Sequence, residues 1–281
     1  MRALIAGAGG QLGRALQACA PAGVTVIAPA EADFDITDAA TVARVIADSG
    51  ADIVFNAAAY TAVDKAEADA ALAQRINADA VALLAAHAPR LVHVSTDFIF
   101  DGTASRPYAP NATPNPVSAY GATKLAGEIA AGPDALIVRT AWVYAAVGNN
   151  FVHTMLRLMR ERPEVRVVAD QIGTPTHVAG LARALWTLSA AGAHGIHHWT
   201  DAGAASWYDF AVAIQEEALA IGLLGSAVPI IPIRTEDYPT PAQRPAYSVL
   251  DKSSCWAITG PAAHWRTELR LCLSAIKEAQ S

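Results

Sequence analysis

The hydrophobic residues of this chain cluster in short runs, and the stretches between them alternate apolar and polar positions with a helical period. Near-continuous apolar runs are typical of strands that are buried on both faces of a parallel sheet. In the first half of the chain these runs occupy residues 3–6, 24–28, 52–56, 91–95 and 136–139. The pattern predicts an α/β fold with a doubly wound parallel sheet of the Rossmann type.

Amphipathic stretches between the runs predict the helices that cover this sheet. Thr37 is the expected N-cap of the second helix, because a threonine hydroxyl can accept a hydrogen bond from the first free N–H groups of a helix. The helical stretches lie at residues 14–19, after Thr37, up to Ala88, around Tyr120, at 150–162 and at 177–190.

The pattern changes after Tyr144, where short strands are predicted at residues 165–168 and 195–199. The sequence from Trp207 to Trp265 is rich in prolines and aromatic residues and does not extend a doubly wound sheet. We therefore expect two interleaved units. The dinucleotide-binding unit comprises residues 1–146 with 170–200 returning to it, and a smaller C-terminal substrate-binding lobe comprises residues 147–169 and 201–281.

A glycine-rich turn joins the first predicted strand to the first helix. Its spacing is Gly7-x-x-Gly10-x-x-Gly13, which differs from a strict G-x-G-x-x-G because position 12 is leucine. Gly7 allows the tight turn, and Gly13 lets the helix pack closely on the strand. Gly9 and Gly10 let the backbone approach a pyrophosphate, which the N-terminus of the helix attracts. The candidate cofactor-binding residues here are Gly7, Gly9, Gly10, Gln11, Leu12 and Gly13.

Composition and charge restrict the partners to small molecules. The 281 residues carry a formal net charge of −6 at pH 7 without a basic run, so nucleic acid is not expected. No uninterrupted apolar stretch reaches the roughly 18 residues of a membrane span, and the N-terminal apolar stretch is too short for a signal peptide. The expected location is cytoplasmic. The three cysteines lack C-x-x-C spacing, so neither disulfides nor zinc are expected.

Tyr120 and Lys124 are four residues apart on a predicted helix, so their side chains share one face. The Lys124 ammonium can then lie beneath the Tyr120 phenol and lower its pKa from the usual value of about 10. The alternative is that the two side chains lie together on an exposed helix face and have no catalytic role. A hydroxyl from the preceding strand would complete the site, and only one of Ser95 and Thr96 can face it, because successive strand residues point to opposite faces.

Further segments carry more specific patterns. The runs Ala-Val-Asp-Lys-Ala-Glu at 62–67 and Asp-Gln-Ile-Gly-Thr-Pro-Thr at 170–176 are the most specific. Supporting segments lie at residues 34–38, 56–61, 94–102, 139–144 and 237–245. Together with the glycine loop and the Tyr120–Lys124 pair, nearly the whole chain resembles the extended short-chain dehydrogenase/reductase family, and within it the dTDP-4-dehydrorhamnose reductases.

This resemblance implies an NADPH-dependent reduction of the C4 ketone of dTDP-4-dehydro-L-rhamnose, the last step of nucleotide-activated rhamnose synthesis. It implies a catalytic triad of Thr96, Tyr120 and Lys124, in which Tyr120 donates the proton and Thr96 hydrogen-bonds the oxygen. Lys124 would tune the tyrosine and hold the nicotinamide ribose. The resemblance places further cofactor contacts at Asp35, Ile36, Asn56, Ala57, Ala58, Tyr60, Tyr120 and Lys124.

The substrate contacts that the resemblance implies lie at Thr61, Val63, Thr96, Phe98 and Trp142. Phe98 stands where tyrosine is common in the family, so the hydroxyl contact is lost. Arg244, which lies near prolines, is a candidate for holding the diphosphate by charge-assisted hydrogen bonds, and a solvated surface arginine is the alternative.

Two positions in the sequence bear on the choice of cofactor and on a possible metal. Glu31 after the second strand favours NADH through the ribose diol, whereas the resemblance implies NADPH. Some relatives dimerise around Mg²⁺ through a glutamate just after the glycine loop, and Ala15 occupies that position here. We therefore expect no metal site, and either a monomer or a homodimer.

Other functions fit the same fold. One is another sugar-nucleotide reductase or epimerase, and another is a non-catalytic regulatory subunit that keeps the fold to bind an enzyme. A sugar-nucleotide dehydratase needs a second carboxylate directly after Asp97, and Phe98 occupies that position. The sequence therefore favours simple reduction.

Overall fold

A six-stranded parallel sheet forms the centre of the protein, whose computed structural model describes residues 1–280. The strands are β1 (Arg2–Ala6), β2 (Thr25–Ile27), β3 (Ile53–Asn56), β4 (Leu91–Thr96), β5 (Leu136–Thr140), β6 (Val143–Tyr144), β7 (Val165–Val168), β8 (Ile172–Gly173), β9 (Thr176–His177), β10 (Gly195–His198), β11 (Ala205–Ser206) and β12 (Ile230–Ile233). The order across the large sheet is β2-β1-β3-β4-β5-β10. The doubly wound parallel sheet predicted from the sequence is confirmed, including its last strand β10.

Helices cover this sheet and build the C-terminal part. They are α1 (Gln11–Ala18), α2 (Ala39–Ser49), α3 (Val63–Ala66), α4 (Ala70–Gln74), α5 (Ala80–His87), α6 (Ala119–Ala131), α7 (Phe151–Glu161), α8 (Val178–Ala190), α9 (Trp207–Ala220), α10 (Ser253–Thr259) and α11 (Trp265–Glu278). A π-helical segment, Arg75–Asp79, joins α4 to α5. Within residues 1–280, no helix has both the length and the apolar character needed to cross a bilayer.

The N-cap of α2 differs from the sequence prediction. Asp38, not Thr37, caps this helix, and its carboxylate accepts a hydrogen bond from the Thr41 N–H at 2.7 Å. The Thr37 hydroxyl instead donates to Asp35 at 2.8 Å. Both Asp and Thr are good N-cap residues, so the sequence alone did not decide between two adjacent candidates.

The chain changes direction across the sheet at β1, which pairs with β2 on one side and with β3 on the other. The carboxyl ends of β1 and β3 are therefore neighbours, with Ala6 opposite Asn56. In open α/β sheets, ligands bind at the carboxyl ends of the strands at such a switch point. The glycine loop follows β1 at this point.

Alternate residues of the strands fill two cores. Ile5, Phe55 and Val138 pack on one face of the sheet, against α1 and α8. Leu4 and Val54 pack on the opposite face, against α2 and α5. Burying each such side chain contributes roughly 1.5–3 kcal/mol. The two cores hold the switch point rigidly between layers of helices.

A further core lies in the C-terminal part of the chain. Phe210 of α9 is buried there together with Met155 of α7 and Leu269 of α11. The two-stranded parallel sheet of β7 and β12 packs against the same helices. Two short two-stranded sheets, β6 with β9 and β8 with β11, connect the C-terminal part of the chain to the segments that follow β5.

Candidate active site and cofactor cleft

The glycine loop after β1 is shaped by close backbone contacts. Gly7 has a φ of +76°, and a Cβ there would lie 2.6 Å from the Ala58 nitrogen. A Cβ on Gly13 would overlap the carbonyl oxygen of Gly7. The two glycines predicted to allow the turn and the close packing are therefore needed at these positions.

The same loop leaves room for a phosphate. A Cβ on Gly9 would meet nothing within 4 Å, so the space above the loop is open. Gly10 is the N-cap of α1 and offers no side chain to the first-turn N–H groups. These N–H groups and the positive end of the helix dipole suit an anion. The loop therefore fits the pyrophosphate of a dinucleotide.

Gln11 and Leu12 lie at the start of α1, and their side chains are engaged within the protein. The Gln11 side chain accepts a hydrogen bond from Asn150 at 2.9 Å, so it is engaged with the segment before α7. Leu12 packs against the core beneath α1. Their N–H groups, at the start of the helix, are the parts that can face a phosphate.

The segment after β3 forms the second wall of the cleft. Asn56 is buried, and its Oδ1 accepts a hydrogen bond from the Ala58 N–H at 3.1 Å. The Tyr60 N–H donates to Asn77 Oδ1 at 2.8 Å, and the Tyr60 hydroxyl donates to Asp69. Asn56, Ala57, Ala58 and Tyr60 therefore belong to one ordered loop beside Gly7.

Asp35 and Ile36 precede α2. The Asp35 carboxylate accepts hydrogen bonds from the N–H and the hydroxyl of Thr37, each at 2.8 Å. These bonds lower the pKa of Asp35. Ile36 is buried in the core, whereas Asp35 is exposed. Asp35 is thus the one of the two whose side chain is accessible to a ligand.

Thr96 and Tyr120 meet at the carboxyl end of β4. The Thr96 hydroxyl donates to Asp97 Oδ1 at 3.0 Å and accepts from the Phe98 N–H at 3.2 Å. It lies close enough to Tyr120 to lower the pKa of the phenol. Ser95 points to the other face and its Oγ has no hydrogen-bond partner. Of the two neighbouring hydroxyls, the structure brings Thr96 to Tyr120.

The electrostatic environment favours a protonated tyrosine. Burial raises the pKa of Tyr120 to about 12, and the charge of Asp97 adds to the shift, while the hydrogen bond with Thr96 opposes it. Burial also raises the pKa of Asp97 to about 6, against the hydrogen bonds from Ser248 and Thr96. Asp97 Oδ2 has no hydrogen-bond partner. Tyr120 is therefore held as an acid.

Lys124 lies beside β4. Its Nζ donates to the carbonyl oxygen of Val94 at 2.6 Å and lies 3.5 Å from His93 Nε2. Burial lowers the pKa of Lys124 to about 8, while the charge of Glu128 opposes this. Lys124 is not among the groups that shift the pKa of Tyr120, so its expected effect on the tyrosine stays a prediction.

On the substrate side, two of the predicted residues lie beside Tyr120. Phe98 packs edge-on against Tyr120 with ring centroids 5.5 Å apart, and Val63 belongs to the same cluster. Thr61 is exposed just before α3, and its contact with a substrate stays a prediction.

Trp142 has a strained backbone and a stacked ring. Its φ is +48°, the single positive φ of a non-glycine residue in the described part of the chain. Its ring stacks on Trp207 with the centroids 3.5 Å apart, and a Cβ on Gly173 would lie 2.6 Å from the indole. Trp142 is therefore packed closely against Trp207 and Gly173.

Arg244 is engaged by an acidic residue. Its two terminal nitrogens pair with the carboxylate oxygens of Asp64 at 3.0 and 2.8 Å, and this pairing lowers the pKa of Asp64. Both side chains are partly exposed, 24% for Arg244 and 40% for Asp64. Arg244 thus joins the segment before Pro245 to α3.

Comparisons with known proteins agree with this geometry. A family model described as "RmlD substrate binding domain" matches residues 1–278. The chain belongs to this family. A dTDP-4-dehydrorhamnose reductase of Burkholderia thailandensis is 45% identical, over 97% of this chain and 98% of that protein. The relation to dTDP-4-dehydrorhamnose reductases that the motifs indicated is confirmed.

Solved structures of the family have the same fold. A dTDP-4-dehydrorhamnose reductase of Clostridium acetobutylicum superposes with a TM-score of 0.92 at 39% identity, covering 99% of this chain and 100% of that one. One of Bacillus anthracis, in complex with NADP, has a TM-score of 0.90 at 35% identity and covers 97% and 98%. The RmlD family fold therefore extends over both the sheet and the C-terminal part.

Two polar residues of the site were missed in the sequence. Asn77, in the π-helical segment, accepts from the Tyr60 N–H and donates to the Tyr60 carbonyl and to Thr123. His93, in the middle of β4, is fully buried beside Lys124. His93 stands between the apolar residues Val92 and Val94 of a buried strand, and this signal could have identified it. Asn77 lies between the polar residues Arg75 and Asp79, so the sequence gives no such signal for it.

Proposed function

We propose that this RmlD-family protein reduces the C4 ketone of dTDP-4-dehydro-L-rhamnose to dTDP-L-rhamnose. The observation that carries the proposal is the proximity of the buried residues Thr96 and Tyr120 at the end of β4, together with a loop after β1 that fits a pyrophosphate. Family membership supports the substrate class.

The chain's own residues account for the proton transfer. Tyr120 stays protonated at neutral pH because its pKa is about 12, so it can donate its proton to the oxygen that becomes negative at C4. Thr96 can hold that oxygen by a hydrogen bond when its hydroxyl proton turns from Asp97 to the substrate. The reduced nicotinamide, when bound, supplies the hydride to the C4 carbon. Burial of the two hydroxyls excludes water from the proton transfer.

We infer that the cofactor is NADPH. The NADP complex of the Bacillus anthracis relative supports this, while Glu31 leaves NADH as the alternative. The residues proposed to hold the dinucleotide are the glycine loop, Asp35 and the segment from Asn56 to Tyr60. Equilibrium titrations of protein fluorescence with each cofactor would rank the two.

The activity is tested with purified protein, dTDP-4-dehydro-L-rhamnose and either NADPH or NADH. The nicotinamide absorbance should fall in proportion to the dTDP-L-rhamnose formed. Reactions without sugar nucleotide are the control. If neither cofactor is oxidised, the proposal is wrong, and cofactor binding without turnover would favour a regulatory subunit.

A dehydratase is the main competing reaction on this fold. It needs a second carboxylate after Asp97, and the aromatic ring of Phe98 packs on Tyr120 at that position. We expect no 4-keto-6-deoxy product when the protein is incubated with dTDP-glucose and NAD⁺. Appearance of that product would replace the reductase by a dehydratase.

The assembly and location stay predictions. We propose a cytoplasmic monomer or homodimer without Mg²⁺, since Ala15 is buried in α1 at the position that links metal-dependent dimers in the family. Light scattering after gel filtration, with and without Mg²⁺, tests this. A mass that doubles only with Mg²⁺ would contradict it.

A further inference from the structure

A chain of three buried polar side chains runs beneath the cleft. Asn56 at the end of β3 lies 3.1 Å from Nδ1 of His93 in β4, and Nε2 of His93 lies 3.5 Å from the Nζ of Lys124 in α6. His93 is completely buried. The proposed reduction uses neither Asn56 nor His93 as a proton donor, so the chain needs another explanation.

The direction of the hydrogen bonds follows from the first link. The Ala58 N–H can only donate, so its 3.1 Å contact makes the accepting atom of Asn56 the carbonyl oxygen Oδ1. The amide nitrogen of Asn56 then faces His93 and donates to Nδ1. His93 must therefore be neutral, with its proton on Nε2.

The contact between His93 and Lys124 favours one protonation state of the lysine. The Nε2–H of His93 is a donor, and an ammonium has only donors to offer, so the charged form of Lys124 is opposed at this contact. A neutral amine has a lone pair that can accept this bond, while it still donates to the Val94 carbonyl at 2.6 Å. The contact favours the neutral amine.

We propose that Asn56 and His93 are positioning residues that favour the neutral amine of Lys124 and couple its protonation to the loop following β3. This loop carries Ala58, which touches the glycine turn at Gly7.

Other charged groups near Lys124 act differently. Glu128, one turn further along α6, favours the ammonium, but both its oxygens are engaged by Arg139 of β5 at 2.9 and 2.7 Å. Asp97 after β4 acts on Tyr120. Burial lowers the pKa of His93 well below its usual value, which agrees with a neutral imidazole.

The tautomer can be observed directly in the full-length protein. Long-range proton–nitrogen NMR spectra of ¹⁵N-histidine protein distinguish the two neutral tautomers and the imidazolium. His93 should show Nε2–H between about pH 6 and 9. A Nδ1–H tautomer or an imidazolium in this range would overturn the proposal.

The effect on Lys124 is measured in the same way with ¹³C-lysine. The chain has four lysines, so replacing Lys65, Lys252 and Lys277 in turn by arginine assigns the signals. His93→Phe removes the opposing N–H without adding charge and should raise the titration midpoint of Lys124 by on the order of one pH unit. His197→Gln, at a half-buried histidine outside the chain, should leave the midpoint unchanged.

A second variant covers the case in which His93→Phe does not fold. Asn56→Asp keeps the acceptor for Ala58 and replaces the donor to Nδ1 by an acceptor. The proton of His93 should move to Nδ1, or the ring should become charged. A retained Nε2–H tautomer, or an unchanged Lys124 midpoint in His93→Phe, would refute the coupling. These spectra need no substrate, so they remain decisive even if the proposed reductase activity fails.

Discussion

Tyr120 is an acid whose strength is set by its neighbours. Its burial and the nearby Asp97 raise its pKa to about 12, so in this state the phenol holds its proton across the physiological range. The sequence predicted the opposite shift, from an ammonium four residues away. The difference arises because burial of the phenol, the largest contribution to the shift, disfavours its anion.

Replacing Tyr120 by phenylalanine removes the proton donor and little else. The ring keeps its edge-on contact with Phe98, so the fold and the affinity for NADPH should be retained. The turnover number should fall by about 10² to 10⁴, the usual contribution of a positioned acid. Initial rates and a cofactor-binding titration measure both effects. Turnover close to that of the unmodified protein would remove Tyr120 from the mechanism.

Asp97 makes the stability of the protein depend on pH. Its carboxyl has a pKa of about 6 when folded and 3.8 when free, so the folded state binds the proton more tightly. This contribution to stability is complete below about pH 4 and is lost as the pH rises through about 6. A shift of about two units corresponds to about 3 kcal/mol.

The variant Asp97→Asn lacks this titration. Relative to the unmodified protein, its free energy of unfolding should therefore increase between about pH 4 and pH 7. Urea unfolding at several pH values measures the difference. Parallel pH profiles for the two proteins would show that Asp97 does not titrate as described.

At the scale of elements, two glycines of the loop between β1 and α1 differ in the space around them. A side chain on Gly13 would overlap the carbonyl of Gly7, whereas a side chain on Gly10 would touch that oxygen at 3.4 Å and otherwise extend into open space. Gly13 therefore serves the packing of the protein, whereas Gly10 borders the space in which we propose that the cofactor binds.

The two glycines should respond differently to substitution. Gly13→Ala should lower the free energy of unfolding by about 1–3 kcal/mol, as overpacking usually does. Gly10→Val should leave stability nearly unchanged and abolish cofactor binding, because the valine would occupy the phosphate site. Thermal unfolding and cofactor titration of both variants test this. Normal cofactor affinity in Gly10→Val would mean that the loop binds something else.

The elements were predictable where their signals were strong. The parallel strands and the amphipathic α7 and α8 follow from apolar periodicity. The π-helical segment at Arg75–Asp79 could not be predicted, because its extra residue per turn is stabilised by contacts between Asn77 and the distant Tyr60 and Thr123. Such contacts depend on the folded chain, not on local preference.

At the scale of the whole molecule, the Asp64–Arg244 pair connects segments 180 residues apart. Sequence analysis identified Arg244 as a candidate for the diphosphate but could not find its partner, since pairing at this distance is set by the tertiary structure. A partly exposed ion pair contributes at most about 1 kcal/mol to stability. The main effect of this ion pair would then be to orient the Arg244 side chain.

A double-mutant cycle with Asp64→Asn and Arg244→Gln tests this. The coupling free energy in unfolding should stay below about 1 kcal/mol. Arg244→Gln should raise the KM for the sugar nucleotide several-fold, with kcat less affected, since a charge-assisted hydrogen bond is lost. An unchanged KM would assign Arg244 a purely structural role.

The division into two interleaved units remains a prediction. The C-terminal core of α7, α9 and α11 supports it, because these helices pack with one another around Phe210. Hydrogen exchange would test it by showing whether residues 147–169 and 201–281 open together.

The stacked indoles of Trp142 and Trp207 should also give a characteristic circular dichroism signal. Rings 3.5 Å apart and inclined by 9° couple their electronic transitions, so the protein should show an exciton couplet in circular dichroism. Trp142 follows β5 and Trp207 begins α9, so the amplitude of the couplet reports whether these segments remain in register. A sugar nucleotide that displaced one indole would weaken the signal, which would reveal its arrival without labels or turnover.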